Sequence, residues 1–406
     1  MTFTRALKYT PFAWLWSGQT LSRVGDFLYE VVLAWWVLEQ TGSALQMGMV
    51  LVFSLSPMVL FSLIGGVMVD RWPRIPIMIL SDCLRGVVVA VVAVMALNQT
   101  LQIWHVYLAS LIFGLVDSFF QPAYTALVPQ LIGEDDLPSA NALSSLSAQI
   151  GRIAGPALAA GIIALGGTGL GFVVNAGTFF VSTLCLLPLL KRLPRLSTTS
   201  SDEQAGRIWA EVKEGISTVL GRPILWISIL IFAMTNITLA GPYSVAMPFL
   251  VQENFAGNVN MLGLLYALFP IGYVLGGIWM GRKKVIRRRG LTSYLGLALA
   301  GLGIAALGLP LPLVVIGLAA LLNGAALEVN SLIWTNLLQV VVPAEKLGRV
   351  ASIDLLGSYL LLPLGFGLTG WATDLLGAAT VFIIGGMMTV IMAGVALLHP
   401  AIQQFD

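Results

Sequence analysis

The sequence KRLPRLSTTSSDEQAGRIWAEVKEGISTVLGR, residues 191–222, is the longest stretch of the chain that apolar residues do not dominate. On each side of it lies a region of similar length made of apolar runs separated by short polar breaks. Its first part is polar, and Ser201-Asp-Glu-Gln204 has the pattern of a capping box that opens a helix. We therefore interpret 191–222 as a linker between two apolar halves.

The second part of this linker has a helical apolar stripe. Its members are Ile208, Trp209, Val212, Ile216, Val219 and Leu220. The spacing predicts a helix that lies along the membrane interface. The same stripe would also suit a helix that packs on a neighbouring cytoplasmic loop.

The composition places the chain in a membrane. Of its 406 residues, 58% are hydrophobic and 10% are charged, whereas a soluble domain carries roughly 25% charged residues. This excludes a soluble enzyme. The net charge of +2 gives no general attraction for nucleic acid, so we expect no nucleic acid partner. Cys83 and Cys185 lie in apolar runs without metal-ligand spacing.

Twelve apolar runs are long enough to be spanning helices, which need about 20 residues each. The first is not a signal peptide, because Arg23, Asp26 and Glu30 interrupt it. The predicted spans are 11–38, 44–69, 75–97, 101–127, 142–166, 168–190, 223–250, 260–280, 291–309, 312–340, 350–373 and 378–399.

The basic residues assign a side of the membrane to each loop. Eighteen of the 21 Lys and Arg residues fall in alternate loops and in the N-terminal segment, and the other three, Arg23, Arg85 and Arg152, lie inside spans. Because short cytoplasmic loops collect Lys and Arg, we predict that both termini are cytoplasmic.

The two halves repeat each other. Gly65, Gly66 and Arg71 match Gly276, Gly277 and Arg282 at an offset of 211. A duplicated six-span unit with a central cytoplasmic linker is the plan of a secondary transporter. We predict six-helix domains at 1–190 and 223–406, joined by the linker 191–222.

Short motifs are distributed over nearly the whole chain. They are Ser22-Arg-Val-Gly-Asp26, Gly65-Gly-Val-Met-Val-Asp-Arg-Trp-Pro-Arg74, Gln121-Pro-Ala123, Val128-Pro129, Leu137-Pro-Ser-Ala-Asn-Ala-Leu143, Gly155-Pro156, Glu211-Val-Lys-Glu-Gly215, Arg222-Pro223 and Gly348-Arg349. In these motifs the chain resembles the major facilitator superfamily, and within it proton-coupled drug antiporters of the macrolide-efflux and enterobactin-exporter type. The resemblance implies an all-α membrane fold of twelve transmembrane helices in two pseudo-symmetric six-helix bundles.

The loop after the second span is similar to the signature of the superfamily. By resemblance, Asp70 would face the N-terminal end of the eleventh span, near 348–352, and hold the cytoplasmic gate shut. Gly66 would permit close helix approach, and Arg71 and Arg74 complete the gating set. The alternative is a plain positive-inside loop, which accounts for the two arginines but not for the acid.

The fifth span resembles the antiporter motif of the family. The motif residues are Gly151, Arg152, Gly155 and Pro156, although alanines occupy the usual glycine pair at 159 and 160. Small residues at this spacing also serve ordinary helix packing.

Ionisable residues inside spans are the candidate proton-coupling residues, because each costs at least ~2.5 kcal/mol at mid-span. Arg23, Asp26 and Glu30 share one face of the first span. We predict that Asp26 is the permanent partner of Arg23 and that Glu30 carries the proton; the alternative is a structural salt-bridge cluster. Asp117 and Glu328 are 211 positions apart, which is the offset of the repeat. This predicts two carboxylates at corresponding depths in the two halves. The alternative is that either acid caps a polar contact between helices.

Asp82 and Arg85, three residues apart in the third span, are interpreted as a structural pair. An adaptable substrate-binding wall is predicted from aromatic and methionine side chains, with core packing as the alternative for each. These are Phe27, Met234, Tyr243, Tyr266 and Phe269.

The sequence favours a proton-driven exporter of amphipathic organic molecules. No catalytic triad, phosphate loop or metal spacing is apparent, so we expect neither an enzyme nor a cofactor. The expected partners are a small-molecule substrate, protons and membrane lipids, and we expect a monomer in a prokaryotic plasma membrane. The alternatives are an exporter or facilitator of a siderophore or lysolipid-like molecule, and a non-transporting membrane sensor.

Overall fold

The computed structural model describes residues 4–192, 213–283 and 288–403, and within them every regular element is helical. The helices are α1 Thr10–Thr41, α2 Ala44–Arg71, α3 Arg74–Leu97, α4 Ile103–Leu131, α5 Leu137–Leu186, α6 Pro223–Gly241, α7 Met247–Asn254, α8 Val259–Gly281, α9 Arg289–Leu307, α10 Leu313–Val341, α11 Ala344–Tyr359, α12 Leu362–Leu376, α13 Ala378–Leu397 and α14 Pro400–Gln403.

Local sequence explains where several of these helices begin and end. Pro11 lies in the first turn of α1, where its missing N–H is no loss, and Gly42 ends that helix in the left-handed conformation with φ 60°. Ser43 caps α2 by accepting a hydrogen bond from the backbone N–H of Gln46. The chain therefore turns between α1 and α2 within two residues.

Four predicted spans are more irregular than the sequence indicated. The fifth and sixth spans form the single element α5, which breaks at Gly166 and Gly167, where φ of Gly167 is 72°. The seventh contains a π-helical turn, Pro242–Ala246, between α6 and α7. The eleventh, predicted from residue 350, begins at Ala344 and divides into α11 and α12.

The twelve predicted crossings are all present as helices. Ten helical segments of the described chain are long and apolar enough to cross a membrane. One of them, 134–190, is 57 residues long and folds back at the break in α5. α1 is not among the ten, because Arg23, Asp26 and Glu30 lower its apolarity. Because 134–190 counts as two crossings, the ten segments make eleven, and α1 is the twelfth.

The chain forms two compact units. The first contains 1–198 together with 258–267, and the second contains 199–257 together with 268–406. In the first unit α1 packs along α5 and α2 along α4, and in the second α9 packs against α10 and α13. The predicted domain boundaries at 190 and 223 remain a prediction.

Close helix contacts recur at positions related by the sequence repeat. A Cβ atom added to Gly65 would lie 2.0 Å from the carbonyl oxygen of Ser118, so α2 and α4 touch through their backbones. At Gly276, the matching residue, an added Cβ atom would lie 2.5 Å from the carbonyl oxygen of Ala325 on α10. Each unit therefore contains the same glycine-mediated contact, which accounts for both glycines.

Candidate functional site

The middle of α1 carries three of the predicted proton-coupling residues. Asp26 lies near the midpoint of this 32-residue helix. Arg23 and Asp26 are half-buried and Glu30 is exposed. A carboxylate facing lipid at this depth is unfavourable by at least ~2.5 kcal/mol, so the exposure of Glu30 favours a side chain that faces water.

The predicted ion pair between Arg23 and Asp26 does not form. Among the described residues Arg23 has no carboxylate within 4.0 Å, and its guanidinium lies 5.3 Å from the ring centroid of Tyr124. Helical side chains lean toward the N-terminus. The Arg23 side chain therefore extends away from Asp26, which follows it in the chain. A base that precedes its acid is also the less favourable order for an ion pair along a helix.

The arginine that pairs with a carboxylate in this region is Arg85 of α3, and not Arg23 as the sequence predicted. Its Nη2 atom lies 3.1 Å from Oδ1 of Asp117 on α4. It is also the charged group that acts most strongly on Asp26, and the acids Asp117, Asp82 and Glu30 act on Asp26 in turn. The structure thus groups carboxylates of α1, α3 and α4 around one arginine.

Asp82 is the most enclosed carboxylate of this group, with none of its surface exposed. Its Oδ2 atom accepts hydrogen bonds from Gln19 Nε2 at 3.1 Å and from Ser182 Oγ at 2.7 Å. The interpretation of Asp82 and Arg85 as a structural pair stays a prediction, because Arg85 is the charged group that acts most strongly on Asp82. Each residue also has a partner on another helix: Arg85 pairs with Asp117, and Asp82 accepts from neutral donors.

Glu30 has a different arginine as its electrostatic neighbour. That neighbour is Arg152 of α5, whose guanidinium lies 5.8 Å from the ring centroid of Phe27 and is exposed. The arginine that acts electrostatically on Asp26 is therefore Arg85, and the one that acts on Glu30 is Arg152.

The antiporter-motif glycines form the crossing of α1 and α5. A Cβ atom added to Gly151 would lie 2.8 Å from Cδ2 of Phe27, and one added to Gly155 would lie 2.6 Å from Cβ of Phe27. Pro156 follows inside α5 and is buried. The two glycines therefore allow α5 to pack closely against the charged segment of α1.

In the second unit, Glu328 is half-buried on α10. A Cβ atom added to Gly277 of α8 would lie 3.3 Å from its Oε1 atom, so the carboxylate lies against that helix. Two residues further along α10, Asn330 donates hydrogen bonds to the carbonyl and hydroxyl oxygens of Ser293. The role of Glu328 stays a prediction.

The predicted substrate-binding side chains are all half-buried, which suits a cavity wall and core packing alike. Tyr243 and Phe269 touch, with ring centroids 5.1 Å apart. Met234 lies on α6 and Tyr266 on α8, and Phe27 lies at the crossing of α1 and α5.

The predicted gate lies largely outside the described part of the structure. α2 contains Gly66, Asp70 and Arg71, but their side chains are not among the described residues. Arg74 is half-buried at the start of α3, and its Nε atom is buried and has no hydrogen-bond partner among the described residues.

The N-terminal part of α11, which the resemblance assigned to this gate, has an acidic partner that the sequence did not reveal. Glu214 accepts from Lys346 at 2.8 Å and from Arg349 at 2.5 Å. Lys346 and then Arg349 hold the pKa of Glu214 below its ordinary value. Gly215 adjoins Ile353, and Val219 is buried. The end of the linker, 213–220, therefore packs on α11.

Sequence reasoning missed Gln19 and Ser182 as partners of Asp82. A signal for Gln19 was present, since Gln19, Arg23, Asp26 and Glu30 form a continuous polar stripe at helical spacing on α1. Ser182 gave no signal, because its contact joins residues 100 positions apart. No group of three or more His, Cys, Asp or Glu side chains that could hold a metal ion occurs among the described residues.

Twelve membrane-crossing helices, an internal repeat and ionisable side chains at mid-membrane depth define the class of the protein as a secondary-transporter fold. The family model described as "Major Facilitator Superfamily" matches residues 15–361. The chain therefore belongs to the Major Facilitator Superfamily.

Two relatives are similar to most of the chain. It is 23% identical over 395 residues to macrolide efflux protein A of Streptococcus pyogenes, which covers 97% of this chain and 96% of the relative. It is 27% identical over 362 residues to the enterobactin exporter EntS of Escherichia coli O1:K1, covering 87% of this chain and 84% of that protein.

Solved structures share the fold. A bacterial homologue of the iron transporter ferroportin, in an inward-facing state, superposes with a TM-score of 0.73 at 17% identity and covers 95% of this chain and 98% of its own. The nucleoside transporter NupG superposes with a TM-score of 0.71 at 15% identity, covering 98% of this chain and 100% of its own.

Proposed function

We propose that this chain exports amphipathic small organic molecules, of the multidrug or macrolide-like kind, by proton antiport with alternating access. The observation that carries the proposal is Glu30, an exposed carboxylate within a spanning helix on which the exposed Arg152 acts electrostatically. Water access lets such a group exchange protons, and a mid-membrane position lets it do so with either side in turn. The similarity to macrolide efflux protein A supports the direction of transport.

In this proposal Glu30 binds a proton from outside and releases it to the cytoplasm, while substrate moves outward. A cationic or bulky apolar substrate competes with that proton for the same water-filled space. Asp70, Arg71, Arg74 and Gly66 close the cytoplasmic side. Phe27, Met234, Tyr243, Tyr266 and Phe269 supply adaptable apolar contacts, and the host compartment is the cytoplasmic membrane of a prokaryote.

The test is Glu30→Gln in proteoliposomes with an acidic lumen, with erythromycin and ethidium as probes. The amide keeps the size and hydrogen-bonding capacity of the side chain but fixes it neutral, so we expect loss of gradient-driven accumulation with probe binding retained. Glu39→Gln is the matched control, because Glu39 lies on the same helix, is exposed and accepts a hydrogen bond from Trp35 that glutamine preserves. Normal accumulation by Glu30→Gln would refute this role for Glu30.

A second candidate is export of a siderophore. The observation that favours it is that Arg23 and Arg152, both inside spans, have no carboxylate within 4.0 Å among the described residues and are available to an anionic or catecholate group. The similarity to the enterobactin exporter EntS agrees with it. Uptake of enterobactin, but not of erythromycin or ethidium, into the same vesicles would favour this candidate.

A further inference from the structure

The loop between α8 and α9 is the most basic segment of the chain. Six of the eight residues 282–289 are Lys or Arg, and no Asp or Glu occurs between Glu253 and Glu328. The corresponding loop of the first half, 71–74, contains two arginines. Because two basic residues serve the topology there, topology alone does not account for six in the second half.

Basic residues of two other segments on the same predicted side are neutralised by acids of the chain itself. Lys8 lies 2.6 Å from Asp136, and Lys346 lies 2.8 Å from Glu214. The loop between α8 and α9 differs, because several of its basic residues have no carboxylate within 4.0 Å in the described part of the chain. They are Arg282, Lys283 and Arg289. Their counter-charge therefore comes from outside the chain.

Both helices that adjoin this loop present apolar side chains on their exposed surface. Leu275, Ile278 and Trp279 follow one another at helical spacing on α8, and each is about half exposed. α9 packs against α10 and α13, and its exposed leucines are Leu291, Leu295, Leu299 and Leu302. Apolar side chains exposed on membrane-crossing helices are covered by lipid acyl chains.

Trp279 marks the level of the lipid headgroups. The backbone N–H of Lys283 donates to the carbonyl of Met280 at 2.9 Å, which continues the last turn of α8. The Nζ atom of Lys283 lies 5.0 Å from the centroid of the Trp279 ring, and Lys283 and Arg282 are both exposed. An indole at the end of a spanning helix prefers the interface. The two charges therefore lie where the phosphate of a lipid lies when its acyl chains cover the apolar stripe.

We propose that the loop ends of α8 and α9 form a binding site for an anionic phospholipid of the cytoplasmic leaflet. Arg282 and Lys283 hold its phosphate beside the Trp279 ring, and Arg289 adds positive charge from the start of α9. The acyl chains lie along the exposed apolar side chains. A zwitterionic lipid carries its own positive charge and is therefore bound less well. This site is independent of the proposed proton coupling.

The test measures which lipid lies next to Trp279 in the full-length protein, reconstituted in phosphatidylcholine vesicles with a minor fraction of phosphatidylglycerol. One of the two lipids carries dibrominated acyl chains, which quench tryptophan fluorescence on contact. The chain has 11 tryptophans, so the signal of Trp279 is the difference between wild type and Trp279→Phe. We expect phosphatidylglycerol to quench Trp279 well beyond its bulk fraction, and 1 M salt, with a Debye length of about 3 Å, to abolish this excess.

Variants of the basic residues identify the site. Arg282→Gln and Lys283→Gln should each lower the preference for phosphatidylglycerol about fivefold, which corresponds to ~1 kcal/mol per basic residue. Arg282→Lys keeps the charge and should keep the preference. Arg5→Gln is the matched control, because it removes one charge from the same predicted side while Asp136 keeps Lys8; it should change nothing.

Three results would overturn the proposal. Trp279 that neither lipid quenches does not face lipid, and quenching that follows the bulk fraction of phosphatidylglycerol shows no site for it. A preference that survives both Arg282→Gln and Lys283→Gln belongs to another part of the protein. The measurement needs no substrate and no pH gradient, so its failure leaves proton-driven export untouched.

Discussion

Replacing Gly155 with alanine should separate α1 from α5 at the charged segment of α1. The added Cβ atom would lie 2.6 Å from Cβ of Phe27 and 2.9 Å from the backbone nitrogen of Leu28, where ordinary contact begins at 3.4 Å. Because both atoms move only with the helix backbone, α1 must retreat by about 0.8 Å to bring the closer contact to 3.4 Å. Overpacking of this kind costs about 1 to 3 kcal/mol.

The matched control is Gly161→Ala on the same helix. Gly161 is exposed, and an added Cβ atom there meets nothing within 4 Å. Both changes gain the same helix propensity, about 0.5 to 1 kcal/mol, so the difference between the two variants isolates the steric cost. Unfolding of both proteins in detergent should show Gly155→Ala to be less stable by about 1 to 3 kcal/mol, with slower transport. Equal stability of the two variants would refute the helix crossing described above.

Three further predictions concern the gate, the linker and the topology. Asp70→Asn should weaken cytoplasmic closure by about 0.3 to 2 kcal/mol, seen as faster cytoplasmic labelling of cavity cysteines; unchanged labelling would count against a gating role. Because the pKa of Glu214 is lowered in the folded protein, its contact with α11 should contribute stability above its ordinary pKa and lose it as the pH falls below that value. Glu214→Gln should abolish this acid-dependent part of thermal stability, and an identical pH dependence in the variant would refute it. Cysteines introduced at Gly167 and Gln99 should react with a thiol reagent from outside the cell, and a cysteine at Thr199 should react only from inside. Labelling of any of the three from the opposite side would refute the predicted topology.

The fold was predictable because its determinants are local. The length of each apolar run sets a crossing, and Gly42, Ser43 and the pair Gly166 and Gly167 mark where helices end, begin or break. Hydropathy did not predict the breaks inside the seventh and eleventh spans, because the apolar residues continue on both sides of each break. Prolines are the local signal that was available, since Pro242 begins the π-helical turn and Pro363 follows the interruption at 360–361.

The candidate site was predictable only as a set of residue types. Charges inside apolar runs identified Arg23, Asp26, Glu30 and Asp117 as unusual, but their partners depend on distances between helices. Arg85 pairs with Asp117 at a separation of 32 positions, and α1 meets α5 through glycines. The direction in which an arginine leans decides which acid it reaches. That is why Arg85, rather than Arg23, is the main electrostatic partner of Asp26.

The most direct test of proton-coupled export is transport by the wild-type protein in proteoliposomes under an imposed pH gradient. With an acidic lumen and an alkaline exterior, outward proton flow should drive erythromycin, ethidium or enterobactin into the lumen above its external concentration. Trapped pyranine should report a matching loss of luminal protons, and a protonophore should abolish accumulation. Equilibration of the probes to equal concentrations, with or without the protonophore, would contradict proton antiport and indicate a facilitator.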